Sequence, residues 1–243
     1  MAVEAREMGL DSLAAVGVPA GEIRGVRVFS TVVIREPSVK GVIAALRDTA
    51  KGRDLVLVDA GDQAFNRAVI SLRGVDVLRQ VHRAPNGAFT HVTARMAAEH
   101  GIALEFDLHP LVQHRGWPRQ RVLQTHARLL RLQRKYGFPC TVATNARSIL
   151  DLRSPREMAA LSRLFGMGEE ETLLALATPA EQQARTHLAH AEAAARIDAI
   201  DRVRARVGVA VRRARILRVG RHRVCGEHEC GAGADGDGLC IGV

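Results

Sequence analysis

Short apolar runs alternate along the chain with stretches whose apolar positions return every three or four residues. Leu55-Val56-Leu57-Val58 is the clearest run, continuous and rich in β-branched side chains, as expected of a parallel strand buried on both faces. Residues 12–17, 26–34, 75–78, 102–108 and 140–143 read as further strands. Helical periodicity fills the intervals. Residues 38–50 carry Val42, Ala45 and Leu46 on one side, with Gly52 past the end. Helices are also predicted over 62–71, over 89–100 with Gly101 as its stop, and over the Arg-rich stretch 117–137. The chain opens inside a helix pattern, residues 1–8, with Gly9 as its C-cap and no strand before it. A helix from Pro155 to Phe165 and a short one from Glu169 to Ala177 follow, with Pro179 predicted to stop the latter.

Strand and helix alternating in this way predict βαβ units and a parallel sheet. The six strand candidates could wrap into a barrel, and an open doubly wound sheet is the competing layout. No G-x-G-x-x-G or P-loop follows any strand, so a nucleotide-binding sheet has no support.

One junction stands out. After the apolar Cys140-Thr141-Val142-Ala143 comes Thr144-Asn145-Ala146-Arg147-Ser148, then Asp151-Leu152-Arg153 and the helix start Ser154-Pro155-Arg156-Glu157. Ser154 is a good N-cap, Pro155 suits the first helical position, and Glu157 completes a capping box. The loop therefore leaves the C-terminal end of a strand, where parallel α/β folds usually bind ligands. Its two guanidiniums near a helix N-terminus suit a phosphate backbone. The plainer reading is a solvated loop whose Arg–Asp pair stabilises a turn.

Composition narrows the choice. The 243 residues include 47% hydrophobic but only 3% aromatic residues, so aliphatic side chains must fill the core. The formal net charge is +9, which favours an anionic partner, most simply nucleic acid. Lys occurs only as Lys40, Lys51 and Lys135, so nearly all the basic charge is Arg, the residue suited to bidentate phosphate contacts. No run of apolar residues is long enough for a membrane span, and the first residues lack a signal-peptide core. Cys140 sits in a strand and the other cysteines lie near the C-terminus, so a disulfide framework is not expected and a reducing cytoplasm is the default.

The final third changes character. From Ala180 to Arg223 alanine and arginine dominate, and between Arg196 and Arg223 only Asp198 and Asp201 oppose the arginines. This predicts a basic helical extension over 179–224, in contact with nucleic acid or packed back on the domain. Residues 225–243 are Gly- and Asp-rich and read as a disordered tail. Cys225, Cys230 and Cys240, with His222 and His228, are numerous enough for a zinc site, but their spacing matches no recognised knuckle.

Metal-dependent hydrolysis needs His and carboxylates clustered at strand ends. Asp59, His82, Glu105, Asp107 and His109 are the candidates. Glu105 and Asp107, two apart on one strand, share a face that could point into a barrel. No H-x-H pair accompanies them, and a buried carboxylate paired with Arg is the favoured reading. No serine elbow or Cys–His arrangement is evident. What remains is a scatter of Asn66, Arg67, His82, Arg83, His91, Arg95, Arg147 and Arg153, suited to holding a polyanion rather than cutting a bond.

Several stretches together resemble the archaeal ribonuclease P protein component 3 family, which is shared with a eukaryotic RNase P subunit. They are Asn66-Arg67-Ala68, Gly74 to Leu78, His91 to Glu99, Ala103 to Leu108, and Ala146-Arg147-Ser148 with Asp151 to Glu157. The resemblance covers residues 1–178. It implies a TIM-like barrel related to polymerase-and-histidinol-phosphatase metal hydrolases, without their metal chemistry. It further implies a protein subunit of the ribonucleoprotein that removes the 5′ leader of precursor tRNA, with catalysis and Mg²⁺ at the RNA subunit and no cofactor on this chain. The implied partners are RNase P RNA, precursor tRNA and a small Pop5-like subunit, in a heterotetramer. Arg147, Arg153, Arg95, Arg83, Lys135 and Arg67 are the expected RNA-facing set, with no catalytic residue. The alternatives are a stand-alone metal-dependent phosphoesterase on the same barrel and a general RNA-binding protein. Family members begin with a strand before the first helix, so the barrel here is expected to lack its first strand and to carry two exposed edges. The region after Pro179 is longer and more basic than the family pattern.

Overall fold

The computed structural model describes residues 2–48 and 52–185. Its frame is a curled sheet of parallel strands: β1 (Ser12–Val16), β3 (Val26–Ile34), β4 (Leu55–Asp59), β5 (Val77–Arg79), β6 (Ala103–Asp107) and β7 (Cys140–Ala143), hydrogen-bonded in that order. Sequential strands that are spatial neighbours, each from β3 onward separated from the next by a helix, make a TIM-like half-barrel. Among the described residues β1 and β7 each have one neighbour, and the barrel is open between them. A short strand, β2 (Gly21–Ile23), runs antiparallel along Val26–Val28 of β3, the stretch that β4 does not reach. Its pattern, exposed throughout, carries no hydrophobic alternation, and so the sequence does not announce it.

The helices follow the predicted periodicity. They are α1 (Ala2–Glu7), α2 (Val39–Asp48), α3 (Gln63–Ile70), α4 (His91–His100), α5 (His109–Gln113), α6 (Trp117–Tyr136) and α7 (Pro155–Arg163). Asp62 caps α3 by accepting from the Phe65 N–H at 2.8 Å. Ser154 and Glu157 form the predicted capping box at α7: the Ser154 N–H donates to Glu157 Oε2 at 2.7 Å, and the Glu157 N–H to Ser154 Oγ at 3.3 Å. Gly101 and Gly137 end α4 and α6 with φ of 65° and 69°, a left-handed conformation that glycine adopts without penalty. The five-residue α5 is new relative to the sequence reading and is started by Pro110.

Alternation along β6 separates two environments. Leu104 and Phe106 join the apolar core formed with Ala94, Ala97, Leu129 and Leu130 of the covering helices and with Phe138, which follows α6. Glu105 points the other way, toward Arg79 of β5. At the opposite end of the sheet, Asp54 and Asp76 take N–H groups of Ser30 and Val56, each at 2.8 Å, which fixes how neighbouring strands line up.

The last described helix, α8, spans residues 169–185 and runs through Pro179. The predicted stop there is thus corrected, and α8 crosses the expected boundary at 178/179. Proline removes one intrahelical hydrogen bond, but the helix is held on both sides of it: Ala175, Thr178 and Gln182 are buried. Gln182 Nε2 and Arg185 Nη1 both donate to the Gly101 carbonyl, at 3.1 and 2.7 Å. Arg134 of α6 grips Glu171 with two nitrogens at 2.8 and 2.7 Å, fastening the start of α8. The chain divides into compact units of residues 1–190 and 191–243, and the second lies outside the described residues.

Candidate nucleic-acid interface

The C-terminal ends of the strands bring together Asp59, Arg79 and the loops after β5, β6 and β7. The β7–α7 loop dominates this end. Its Asp151 carboxylate accepts from the N–H groups of Arg147 and Ser148 and from Ser148 Oγ, each at 3.1 Å. These bonds, led by the Arg147 N–H, hold the Asp151 carboxyl below its ordinary value. The turn is therefore stabilised by backbone amides; the expected Arg–Asp side-chain pair does not form. Among the described residues the exposed Arg147 guanidinium makes no hydrogen bond or ion pair. Arg153 differs. It is half-buried, and its Nη1 donates to the Leu150 and Leu152 carbonyls at 2.8 and 2.6 Å, so that nitrogen holds the turn. Beside it lies a small cleft lined by Leu108, His109, Thr144, Asp151 and Arg153, among others.

Beneath the loop sits a buried polar cluster. Arg79 Nε lies 3.2 Å from Asp59 Oδ1 and 3.6 Å from Glu105 Oε1. Asn145 closes the set, accepting from Arg79 Nη2 at 3.3 Å and donating from Nδ2 to Glu105 Oε1 at 3.0 Å. Burial pushes the Glu105 carboxyl up to about 7, against the pull of Arg79. Burial also raises Asp59, again opposed by Arg79. Next to the cluster, His82 is pushed down to about 4 by burial, with Asp107 acting in the other direction. Its ring stands edge-on to buried His126, whose Nε2 meets the Asp107 carbonyl at 3.0 Å.

The carboxylates and histidines named as metal candidates have other roles here. Asp59 and Glu105 flank one guanidinium, as the paired-carboxylate reading anticipates, and Asp107 Oδ1 accepts from the His109 N–H at 3.0 Å. Among the described residues no group of three His, Cys, Asp or Glu side chains is arranged to hold a metal ion. Cys225, Cys230, Cys240 and His228 lie outside the described residues.

The six expected RNA-facing residues do not share one surface. Arg83, Arg147 and Arg153 lie in loops at the strand C-termini. Exposed Arg95 sits on the flank of α4, 3.7 Å from Glu99 one turn on. Exposed Arg67 is on the outer side of α3. Lys135 ends α6 at the other end of the sheet, its ammonium over the Tyr136 ring at 5.4 Å. The physical reason is the crossover itself: each helix runs antiparallel to its strands, so a residue late in a helix is returned to the strand N-termini. Asn66 is also removed from any surface role, being fully buried with its amide on Gly61 and Ala88. The sequence reading missed Arg79. Its signal was a charge ending the apolar Val77-Leu78 run, where a strand meets the binding end of the sheet.

The family model described as RNase P subunit p30 matches residues 17–189. The chain belongs to that family. Relatives agree: a protein named ribonuclease P protein component 3 from Methanococcoides burtonii is 36% identical over 155 residues, 63% of each chain. The protein of the same name from Methanosarcina acetivorans is 33% identical over 160 residues, 66% of this chain and 67% of that one. The match spans just under two thirds of the first relative's length. Among solved structures, a chain in a cryo-EM structure of archaeal ribonuclease P with mature tRNA has the same fold, with a TM-score of 0.66 at 19% identity, over 76% of this chain and 87% of that one.

Proposed function

We propose that this chain is a protein subunit of ribonuclease P. In this reading it holds RNA during removal of the 5′ leader of precursor tRNA, and the RNA subunit with its Mg²⁺ carries out the cleavage. The observation that carries the reading is family membership over residues 17–189, with relatives named as component 3 of that ribonucleoprotein. The geometry supports a holding role. The strand C-termini present Arg147 outward, while the carboxylates that a hydrolase needs for metal are engaged with Arg79. A net charge of +9 suits a polyanionic partner. A small Pop5-like subunit is the expected protein partner, in a heterotetramer, and the cytoplasm the expected compartment.

Reconstitution tests this. Added with the Pop5-like subunit to RNase P RNA, the chain should lower the Mg²⁺ needed for cleavage at the mature 5′ end. A general RNA binder should leave that requirement unchanged. Chelator-sensitive hydrolysis of phosphodiesters by the purified protein alone would instead establish the phosphoesterase alternative.

A further inference from the structure

Asn145 has an unusual backbone and two polar tethers. Its φ of 46° lies in the left-handed region, which costs an ordinary side chain about 1 kcal/mol and which asparagine tolerates better than most. Its amide is used at both ends, accepting from Arg79 Nη2 and donating to Glu105 Oε1. Only a carboxamide satisfies both partners at this reach: aspartate would place a further carboxylate against Glu105, and alanine or glycine reach neither. The partners are firm anchors, since the Arg79 and Glu105 side chains are 7% and 2% exposed. A buried guanidinium between the buried Glu105 and the half-buried Asp59 has little room to relax into water when a partner shifts. Two to three residues further on, the Arg147 and Ser148 amides are pinned by the Asp151 carboxylate. The backbone around Arg147 is thus held at Asn145 by the interior cluster and at Arg147 and Ser148 by the capped turn.

We propose that Asn145, clamped between Arg79 and Glu105, is a positioning residue that presents the Arg147 guanidinium to an RNA phosphate. The inference rests on the RNA-holding reading above. A loop already ordered before binding loses less conformational freedom on contact, so the clamp raises affinity without touching RNA.

The test compares Asn145→Gly, which keeps the left-handed backbone and removes both tethers, with Arg147→Ala and the double variant, in the full chain. Binding of an RNase P RNA transcript is measured at fixed salt, and amide exchange at Arg147 and Ser148 is followed without RNA. Arg147→Ala should weaken binding about fivefold, as for loss of one phosphate contact. Asn145→Gly should weaken it by a similar factor and speed exchange at both amides, and the double variant should be no weaker than either single one. Wild-type affinity for Asn145→Gly, or effects that multiply in the double variant, overturns the proposal. Asn145→Gly is also melted beside the unaltered chain; a lowered melting temperature with exchange faster throughout the protein means a general loss of folding, weakened binding with unchanged exchange at the two amides means that the clamp does not order the loop, and either overturns the proposal. If the unaltered chain binds no RNA, the functional reading fails, and amide exchange alone decides whether the clamp orders the loop.

Discussion

A guanidinium held between two carboxylates inside a sheet has little freedom, whereas one at the tip of a loop has a great deal, and Arg79 and Arg147 occupy these extremes. Arg79 is bound to Asp59, Glu105 and Asn145, so it serves architecture. Arg147 is exposed with its charge unpaired among the described residues, and so it is the residue best placed for a phosphate. Replacing Arg147 with Ala should reduce the slope of log affinity against log salt by about one unit and leave the melting temperature unchanged. Arg153 should differ in its effect on stability, because its Nη1 holds the carbonyls of Leu150 and Leu152. Its removal should loosen the turn as well as weaken binding, which melts and salt titrations run on the same samples will separate.

At the scale of elements, caps and docking decide where helices begin and end. Ser154 caps α7 and thereby fixes the end of the loop that carries Arg147. Ser154→Ala should cost about 1 kcal/mol of stability, read from denaturant unfolding with an unchanged slope. Helix α8 shows tertiary structure overriding a local signal. Pro179 predicts a stop, yet buried Thr178 and Gln182 continue the helix onto the Gly101 carbonyl. If that docking matters, Gln182→Ala should also cost about 1 kcal/mol, in line with a buried hydrogen bond. A residue beyond a true helix stop would give no measurable change.

At the scale of the molecule, the buried ionisable groups impose opposing pH limbs. The folded-state value of Glu105, about 7, lies above its ordinary 4.5. Between those pH values the folded protein holds a proton that the unfolded chain has released, so stability falls as pH rises and levels off above 7. The limb is on the order of 3 kcal/mol from the size of the shift. The folded-state value of His82, about 4, lies below its ordinary 6.5. Between 4 and 6.5 the unfolded chain binds a proton that the folded protein refuses, so stability falls as pH drops through that window. Buried His126 is shifted in the same direction. Glu105→Gln, which keeps an acceptor for Asn145, should flatten the limb between pH 5 and 7 in thermal melts, and His82→Gln should reduce the acid limb. An unchanged profile in both would mean that neither group is perturbed in the folded protein.

The sequence by itself determined the six parallel strands, most of the helix ends and the order of these elements, whereas the exposed β2 and the short α5 went unannounced. The legible signals are local: apolar runs such as Leu55 to Val58, the Ser154–Glu157 box, and glycines at helix ends. It also pointed to the β7–α7 loop, because a strand end followed by a capped helix start is legible within fourteen residues. Pairing Glu105 with an arginine was readable as a type of interaction, since a buried carboxylate needs a counter-charge, but the identity of that arginine was not. Arg79 and Asn145 are separated from each other by 66 positions, and only strand pairing brings them together. The same holds for the basic residues. Arg67, Arg95 and Lys135 join Arg147 and Arg153 in the expected set, with the loop pair foremost, but the crossovers carry these three to helix flanks and to the far end of the sheet. The continuation of α8 past Pro179 was likewise a tertiary decision, because the packing that holds Gln182 lies on Gly101, 81 positions away.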